Sequence, residues 1–533
     1  MKFKRIIYAA SLALVLVGAG ACKKEKFNIN ANPDDVTDVS VTPTVLLPGA
    51  QQATSSVIAA DFWWIGWWMG YGARSGSYQS LDEEETYKFT QSYHNEIWND
   101  LYANANNYNI MIQKAAASGA GTYEAIGRIM KSHNFQILTD IYGNIPYSEA
   151  FQGTAAATPK YDKGVDIYNG IFADLDKAIT LLNSATATDA SKNPEIATAD
   201  LVYGGNTVMW KKFANTLRLR MLIHLHNGIT TTSVAPGVNV ADQMAKITAS
   251  FAAGTPVTGL FLGAGESAHL NPGFSASKPQ PYYRFYNTNE SGSASQRDHL
   301  RANDYAIRYY QYDGDPRINR FYAAPSSGTH KGIVFGTPSG AGVPIGSDLS
   351  TVRGPGLSPG GANSRAWILT SVESLFLQAE ARQRGLWSSG PTAEALLTSA
   401  VQESFVWLGL TAAQANSYIA SNAGYPDVDY NAPSIVAGQP GGGLYTIIQQ
   451  KWFALNNIAN YEVWTDYRRT DIVYGRAGTF DPGPPLSVHP NRTSTTIPRR
   501  LFYPQNEYNY NAANVAAEGT INVFTSKIFW DLN

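Results

Sequence analysis

The sequence predicts a mainly α protein: paired, tetratricopeptide-like helices with long irregular loop-rich insertions and few short strands. Three observations predict it. Apolar residues recur with the 3.6-residue helical period from Thr42 onward, successive stretches lie close enough to pair as helix–turn–helix units, and clear period-two alternation is scarce. Hydrophobic residues make up 44% of the 533, so a large core can form and wholesale disorder is excluded. Charged residues, at 15%, fall well below the ~25% usual in soluble domains. The formal charge of −2 leaves no basic footprint for nucleic acid. The single Cys excludes a disulfide framework, a Cys-based zinc site and an iron–sulfur cluster.

The first element is an address. Lys2, Lys4 and Arg5 precede the apolar run Ile6 to Val17, and small residues Gly18 to Ala21 lead into Cys22. Residues 1–21 read as a lipoprotein signal peptide, too short for a spanning helix. Cys22 then becomes the acylated N-terminus, which holds the protein on a membrane through lipid alone. Ala19 stands where a larger aliphatic is usual, and the alternative is an ordinary cleaved signal with an incidental Cys. Residues 22–41, polar and Asn-rich, form the lipidated N-terminus and tether. Residues 42–533 form one domain.

Within that domain, residues 165–182 place Tyr168, Ile171, Phe172, Leu175, Ile179 and Leu182 on one face and Asp166, Asn169, Asp174 and Lys177 on the other. Residues 207–226 do the same with Trp210, Phe213, Leu217, Met221 and Leu225. Further helical patterns run at about 44–70, 90–114, 122–139, 366–385, 391–408 and 444–460. The candidate pairs are 124–139 with 165–182 and 366–385 with 391–408. Gly/Ser/Asn/Pro-rich segments at 227–300, 322–365, 410–442 and 472–498 separate them. They hold many aromatics, so they read as ordered loops packed on a helical scaffold.

No catalytic constellation emerges. Glu83-Glu84-Glu85 reads as a solvated run or a helix start. His224 and His226 are two apart on a helix, face different sides and cannot easily share a metal, so one is expected packed and the other partly exposed. The GxSxG string Gly356–Gly360 lacks the strand and helix a nucleophile elbow needs. Asp313-Gly314-Asp315-Pro316-Arg317 lacks the alternating oxygen ligands and distal Glu of a calcium loop. Instead, Asp315 is expected to cap a helix beginning at Pro316, with Arg317 paired to a nearby carboxylate. No cofactor is implied, and a structural calcium ion has no motif behind it. This silence favours a binding protein over an enzyme.

Aromatic clusters remain. Trp63, Trp64, Trp67 and Trp68 cover nearly half of a helix circumference, too broad for one packing seam, so at least one should border a surface. Tyr71, Arg74 and Tyr78 follow. Tyr282-Tyr283-Arg284-Phe285-Tyr286 forms a second cluster in a long loop after Pro279 and Pro281. Sugar rings present apolar C–H faces to such rings, while Arg side chains donate to hydroxyl or carboxylate oxygens. The expected ligand contacts are Trp68, Arg74 and Tyr78 on one side and Tyr282, Tyr283 and Tyr286 on the other. The arginines of Arg468-Arg469 and Arg499-Arg500, set among Trp, Tyr and Pro, are expected to tie loops to helices.

Several strings together resemble the SusD/RagB family of surface lipoproteins, in particular its SusD-like 2 branch. They include Phe27-Asn28-Ile29-Asn30 with Asn32-Pro33, Leu46-Leu47-Pro48-Gly49-Ala50, and Leu138-Thr139-Asp140-Ile141-Tyr142-Gly143-Asn144-Ile145-Pro146-Tyr147. Trp210-Lys211-Lys212-Phe213-Ala214-Asn215, Glu373-Ser374-Leu375-Phe376-Leu377-Gln378-Ala379-Glu380-Ala381, Trp464-Thr465-Asp466-Tyr467-Arg468-Arg469 and Ile497-Pro498-Arg499-Arg500-Leu501-Phe502-Tyr503-Pro504 belong to the set, with Arg128-Ile129-Met130-Lys131, Gln450-Lys451-Trp452 and Asn506-Glu507-Tyr508. The matches run in family order almost to the C-terminus. The resemblance implies a SusD-like fold on four tetratricopeptide-type helix pairs, attachment to the outer membrane facing outward, and no catalytic role. It also implies capture of a glycan for a SusC-like TonB-dependent transporter. The alternatives are a peptide-binding member of the same family and a surface glycoside hydrolase with carboxylates that one sequence cannot pair.

Overall fold

A computed structural model describes residues 41–80, 82–229, 233–270, 274–286, 299–354, 361–433, 442–470 and 484–533. The signal segment, Cys22, the tether to residue 40 and the Gly356–Gly360 string lie outside the described residues. Nine principal helices carry the fold: α1 Pro43–Ser56, α2 Asn95–Ser118, α3 Gly121–Tyr142, α4 Gly164–Leu182, α5 Thr207–His224, α6 Ser371–Gln383, α7 Ala393–Trp407, α8 Gly443–Ala454 and α9 Asn460–Thr470.

The expected pairs form, α3 against α4 and α6 against α7, and α2 also packs on α3. Local chemistry sets their ends. Gly119, at φ +72°, turns α2 back into α3, with the Ala120 N–H donating to the Ala115 carbonyl at 2.8 Å. The Asn206 side chain accepts from Val208 N and Met209 N to start α5, and the Thr370 hydroxyl accepts from Glu373 N to start α6. On α4 the apolar face goes inward as the period requires: Ile167, Tyr168, Ile171, Phe172, Leu175 and Leu182 are buried. Residues Pro43–Asn533 make one compact unit.

Helix α6 departs from a simple two-faced pattern. Its polar residues Ser374 and Gln378 are buried along with Val372, Leu375, Phe376 and Ala379. The helix lies between α5, α7 and α8, so its polar side must be satisfied by protein. The Ser374 hydroxyl donates to the Leu262 carbonyl at 2.7 Å and Gln378 to the same oxygen at 3.1 Å. Glu373 pairs with Arg220 at 2.7 Å, and Glu380 with Arg469 at 2.6 Å and Arg384 at 2.7 Å. Lys451 and Arg469 share Asp466. Buried charges persist only when paired in this way.

His224 stands between Asp140 at 3.0 Å and Glu462 at 2.9 Å, fully buried. Burial alone would lower its pKa, but the two carboxylates outweigh it and hold the imidazole at about 9. His226 is buried as well, so neither histidine is the partly exposed one expected of the pair: α5 ends at His224, and His226 starts a strand. Asp315 and Arg317 pair with each other at 2.7 Å, and the Asp315 carboxylate accepts from Arg317 N at the start of the short helix Ile318–Phe321. Arg468 stacks on Trp464 at 3.8 Å and donates to the Asp140 and Arg499 carbonyls, tying the C-terminal loops to the helices.

Strands are short, as expected. β1 Gly72–Arg74, β2 His226–Asn227, β3 Ser233–Val234, β4 Ala268–Leu270, β5 Leu300–Ala302, β6 Tyr322–Ala323, β7 Thr351–Val352 and β8 Ala366–Leu369 form antiparallel sheets, the largest in the order β1-β5-β7-β6. The helical pattern expected from 366 begins only at Ser371, because Ala366–Leu369 pair with β4. Two segments read as loop contain helices, Val240–Ala249 capped by Asn239 and Ala412–Ser421 capped by Thr411 and Gln414.

Candidate functional site

The four-Trp segment is not one regular helix. A π-helical turn, Val57–Asp61, and a short helix, Ile65–Trp68, follow α1. The i, i+4 relation still holds and divides the indoles into two rows. Trp64 and Trp68 pack edge to face at 4.7 Å and point inward against Tyr93 and Trp464. Trp63 and Trp67, 5.2 Å apart, point the other way. Of the four, only Trp63 is half-buried; Trp64, Trp67 and Trp68 are at most 1% exposed.

β1 follows directly and pairs with β5, with Arg74 opposite Leu300, and Ser75 N donates to the His299 carbonyl at 2.9 Å. This register sets His299 between Trp67, at 5.8 Å, and Tyr78, at 5.3 Å. Burial, then the charge of Arg74, push His299 down to about 4, so it is neutral at neutral pH. On the other flank, Phe285 stacks on Trp63 at 5.9 Å with planes 29° apart. The result is a continuous ladder of rings, Phe285–Trp63–Trp67–His299–Tyr78. It joins the two sequence clusters, with Tyr78 40% exposed and Trp63 and Phe285 half-buried.

The second cluster is a helix, not a loop. Pro281 sits in its first turn, the Gln280 side-chain oxygen accepts from Tyr283 N at 2.8 Å, and Pro281–Tyr286 is helical. Tyr282 and Tyr286 therefore fall on one face, stacked 6.2 Å apart and 9° off parallel, and go into the core near Trp367. Tyr283 is half-buried and Arg284 exposed. Asn457, at φ +55° in the left-handed region, lines two narrow clefts beside Trp63 and Tyr282. Each cleft holds about 10 Å³, room for one water. Among the described residues, the ladder presents its rings side by side, without a larger cavity between them.

Four of the six expected contact residues present no surface. Trp68 is 0% exposed, in the inward Trp row. Tyr282 and Tyr286 are buried by the helical period. Arg74, 2% exposed, is committed internally. It pairs with Glu85 at 2.7 Å, and its remaining N–H groups reach the carbonyls of Ser75, Tyr78 and Thr337 and the Ser80 hydroxyl. Its work is to hold the Ser75–Ser80 turn that carries Tyr78. Glu83-Glu84-Glu85 is accordingly a helix start, Asp82–Thr86, and not a solvated run. Tyr78 and Tyr283 keep accessible rings. Trp63, Phe285, His299 and Asn457 were missed by sequence reasoning, although the over-wide Trp stripe signalled that one indole must reach a surface.

Among the described residues, no helix is long and apolar enough to cross a membrane, and no three His, Cys, Asp or Glu side chains are grouped to hold a metal ion.

Comparison with known proteins gives three results. Residues 39–504 match the model of the SusD-like 2 family, described as starch-binding and associating with the outer membrane. No curated protein matches the chain. Solved structures similar to it include a SusD homologue from Bacteroides fragilis (22% identity, 92% of this chain and 99% of that one, TM-score 0.69). A SusD/RagB family protein from Bacteroides thetaiotaomicron is also similar (20% identity, 93% and 100%, TM-score 0.69). So is a chitin-binding SusD homologue from Flavobacterium johnsoniae (22% identity, 92% and 99%, TM-score 0.69).

Proposed function

The chain belongs to the SusD-like family of nutrient-binding proteins associated with the outer membrane, and from that premise we propose that it captures oligosaccharide at the cell surface without turning it over. The protein hands the glycan to a SusC-like TonB-dependent transporter and is held at the membrane by acyl chains on Cys22. The observation that carries the ligand class is the Phe285–Trp63–Trp67–His299–Tyr78 ladder. Rings toward its two ends, Phe285 and Trp63 on one side and Tyr78 on the other, offer flat apolar area at little entropic cost. Arg284 and the Asn457 amide, at its margin, are of the kinds that bind hydroxyls.

Starch and chitin oligosaccharides are the first probes, because the family description names starch and a structural neighbour is chitin-binding. Calorimetry with maltohexaose and chitohexaose should give saturable binding with no release of reducing ends. Trp63→Ala and Tyr78→Ala should each weaken it by about 1–3 kcal/mol, by analogy with base–aromatic stacking. Wild-type affinity in both variants would place the site elsewhere, and peptides co-purifying in place of glycan would change the ligand class. For the anchor, Cys22→Ser should move the protein out of the membrane fraction. For the partnership, mild-detergent extracts of the tagged protein should carry a large β-barrel protein.

A further inference from the structure

Away from the ring ladder, the turn Asp313–Pro316 and the helix Ala412–Ser421 border an open cleft of about 550 Å³, within the ~300–1,000 Å³ range of small-molecule sites. We propose that this cleft is a second saccharide-binding site. It shares no residue with the ladder and does not depend on it.

The cleft is built on rigid parts. The helix starts from a capping box in which Thr411 and Gln414 satisfy each other's backbone N–H groups. Ala413, Ser417 and Ser421 follow at four-residue spacing on the face that lines the cleft, all exposed. At its end, the Asn422 amide donates to the Asp313 carbonyl at 2.9 Å and locks the turn against the helix. Below, Tyr418 is 4% exposed, and its hydroxyl accepts from Gln450 at 3.1 Å. The Arg317 guanidinium, paired with Asp315, lies 5.5 Å from the Tyr418 ring centre. A site on supports of this kind keeps its geometry before ligand arrives.

Its chemistry fits a polyol. The Ser417 and Ser421 hydroxyls each both donate and accept hydrogen bonds, and the Gln414 amide nitrogen, its oxygen held by the cap, adds a donor. The described lining holds no basic side chain, which disfavours phosphate and other anions. Two exposed rings flank the locked turn. Tyr312, 45% exposed, precedes Asp313, and Tyr425, 39% exposed, donates its N–H to the Asn422 carbonyl at 3.1 Å. Their centroids are 6.2 Å apart and their planes 87° apart, which makes an aromatic corner. A second site on one capture protein would also raise its hold on a polymer by avidity.

The test uses the purified protein and the two probes above in calorimetry. Ser417→Trp fills the cleft from an exposed helix position, and Tyr312→Ala removes one wall of the corner. With at least one probe, wild type should show two binding events. Ser417→Trp should remove one of them, Tyr312→Ala should weaken the same one at least tenfold, and Trp63→Ala should weaken only the other. Loss of all binding in Trp63→Ala, with Ser417→Trp unchanged, overturns the second site and leaves the ladder standing. The converse, binding lost in Ser417→Trp and unchanged in Trp63→Ala, upholds the cleft and overturns the ladder. Wild-type protein silent toward both probes overturns both.

Discussion

Replacing Arg74 by Met is the sharpest probe of how the ladder is held. Arg74 and Glu85 are 1% and 0% exposed at their side chains and pair at 2.7 and 3.2 Å. Removing one partner of a buried pair strands the other charge and costs about 3–5 kcal/mol. Burial already raises the Glu85 pKa against the pull of Arg74, so the stranded carboxyl should take up a proton and soften the cost near the lower figure. Removing both charges, as Arg74→Met with Glu85→Met, should return about 2–3 kcal/mol of that loss. The bonds from Arg74 to the Ser75, Tyr78 and Thr337 carbonyls are not restored, so the turn stays loose. Urea denaturation midpoints read the stability, and calorimetry reads the binding. Both variants should bind saccharide more weakly than wild type, because Tyr78 loses its support, and only the single variant should be badly destabilised. A single variant within 1 kcal/mol of wild type, or a double variant no better than the single one, would refute the reasoning.

The remaining expectations are these. Trp68→Ala should cost about 3–5 kcal/mol of stability, whereas Trp63→Ala costs much less stability and acts on affinity; thermal melts beside calorimetry separate the two. Gly76→Ala would bring a Cβ within 2.5 Å of the Pro344 carbonyl, so it should push that loop off the Tyr78 turn at about 1–3 kcal/mol and weaken binding, read by the same pair of assays. The His224 imidazole is held at about 9 against 6.5 unfolded, so its contribution, about 3 kcal/mol, is fully present below pH 6.5 and lost as pH rises through 9. Denaturation midpoints between pH 6 and 10 should fall accordingly, and His224→Gln should flatten that slope.

What the sequence by itself determined is local. The period-3.6 stripes of α4 and α5, the caps Asn206 and Thr370 and the turn glycine Gly119 act over a few residues, so the helices and their pairing are legible without tertiary partners. The over-wide Trp stripe likewise required that one indole meet a surface. Which indole does so was decided by residues distant in sequence, three of them more than 200 positions away: Trp464 and Tyr93 take the Trp64–Trp68 row into the core, and Phe285 and His299 leave the Trp63–Trp67 row at the edge. The same holds for Arg74, whose charge reads as a ligand donor until Glu85 and the Thr337 carbonyl are seen to consume it. Tyr282 and Tyr286 changed role for a smaller reason, a one-turn helix where a loop was expected, which rotates i and i+4 onto one buried face. Secondary structure follows from neighbours in sequence, but exposure of a ring or a charge is a property of the whole packing, because only the assembled core sets which side of an element water reaches.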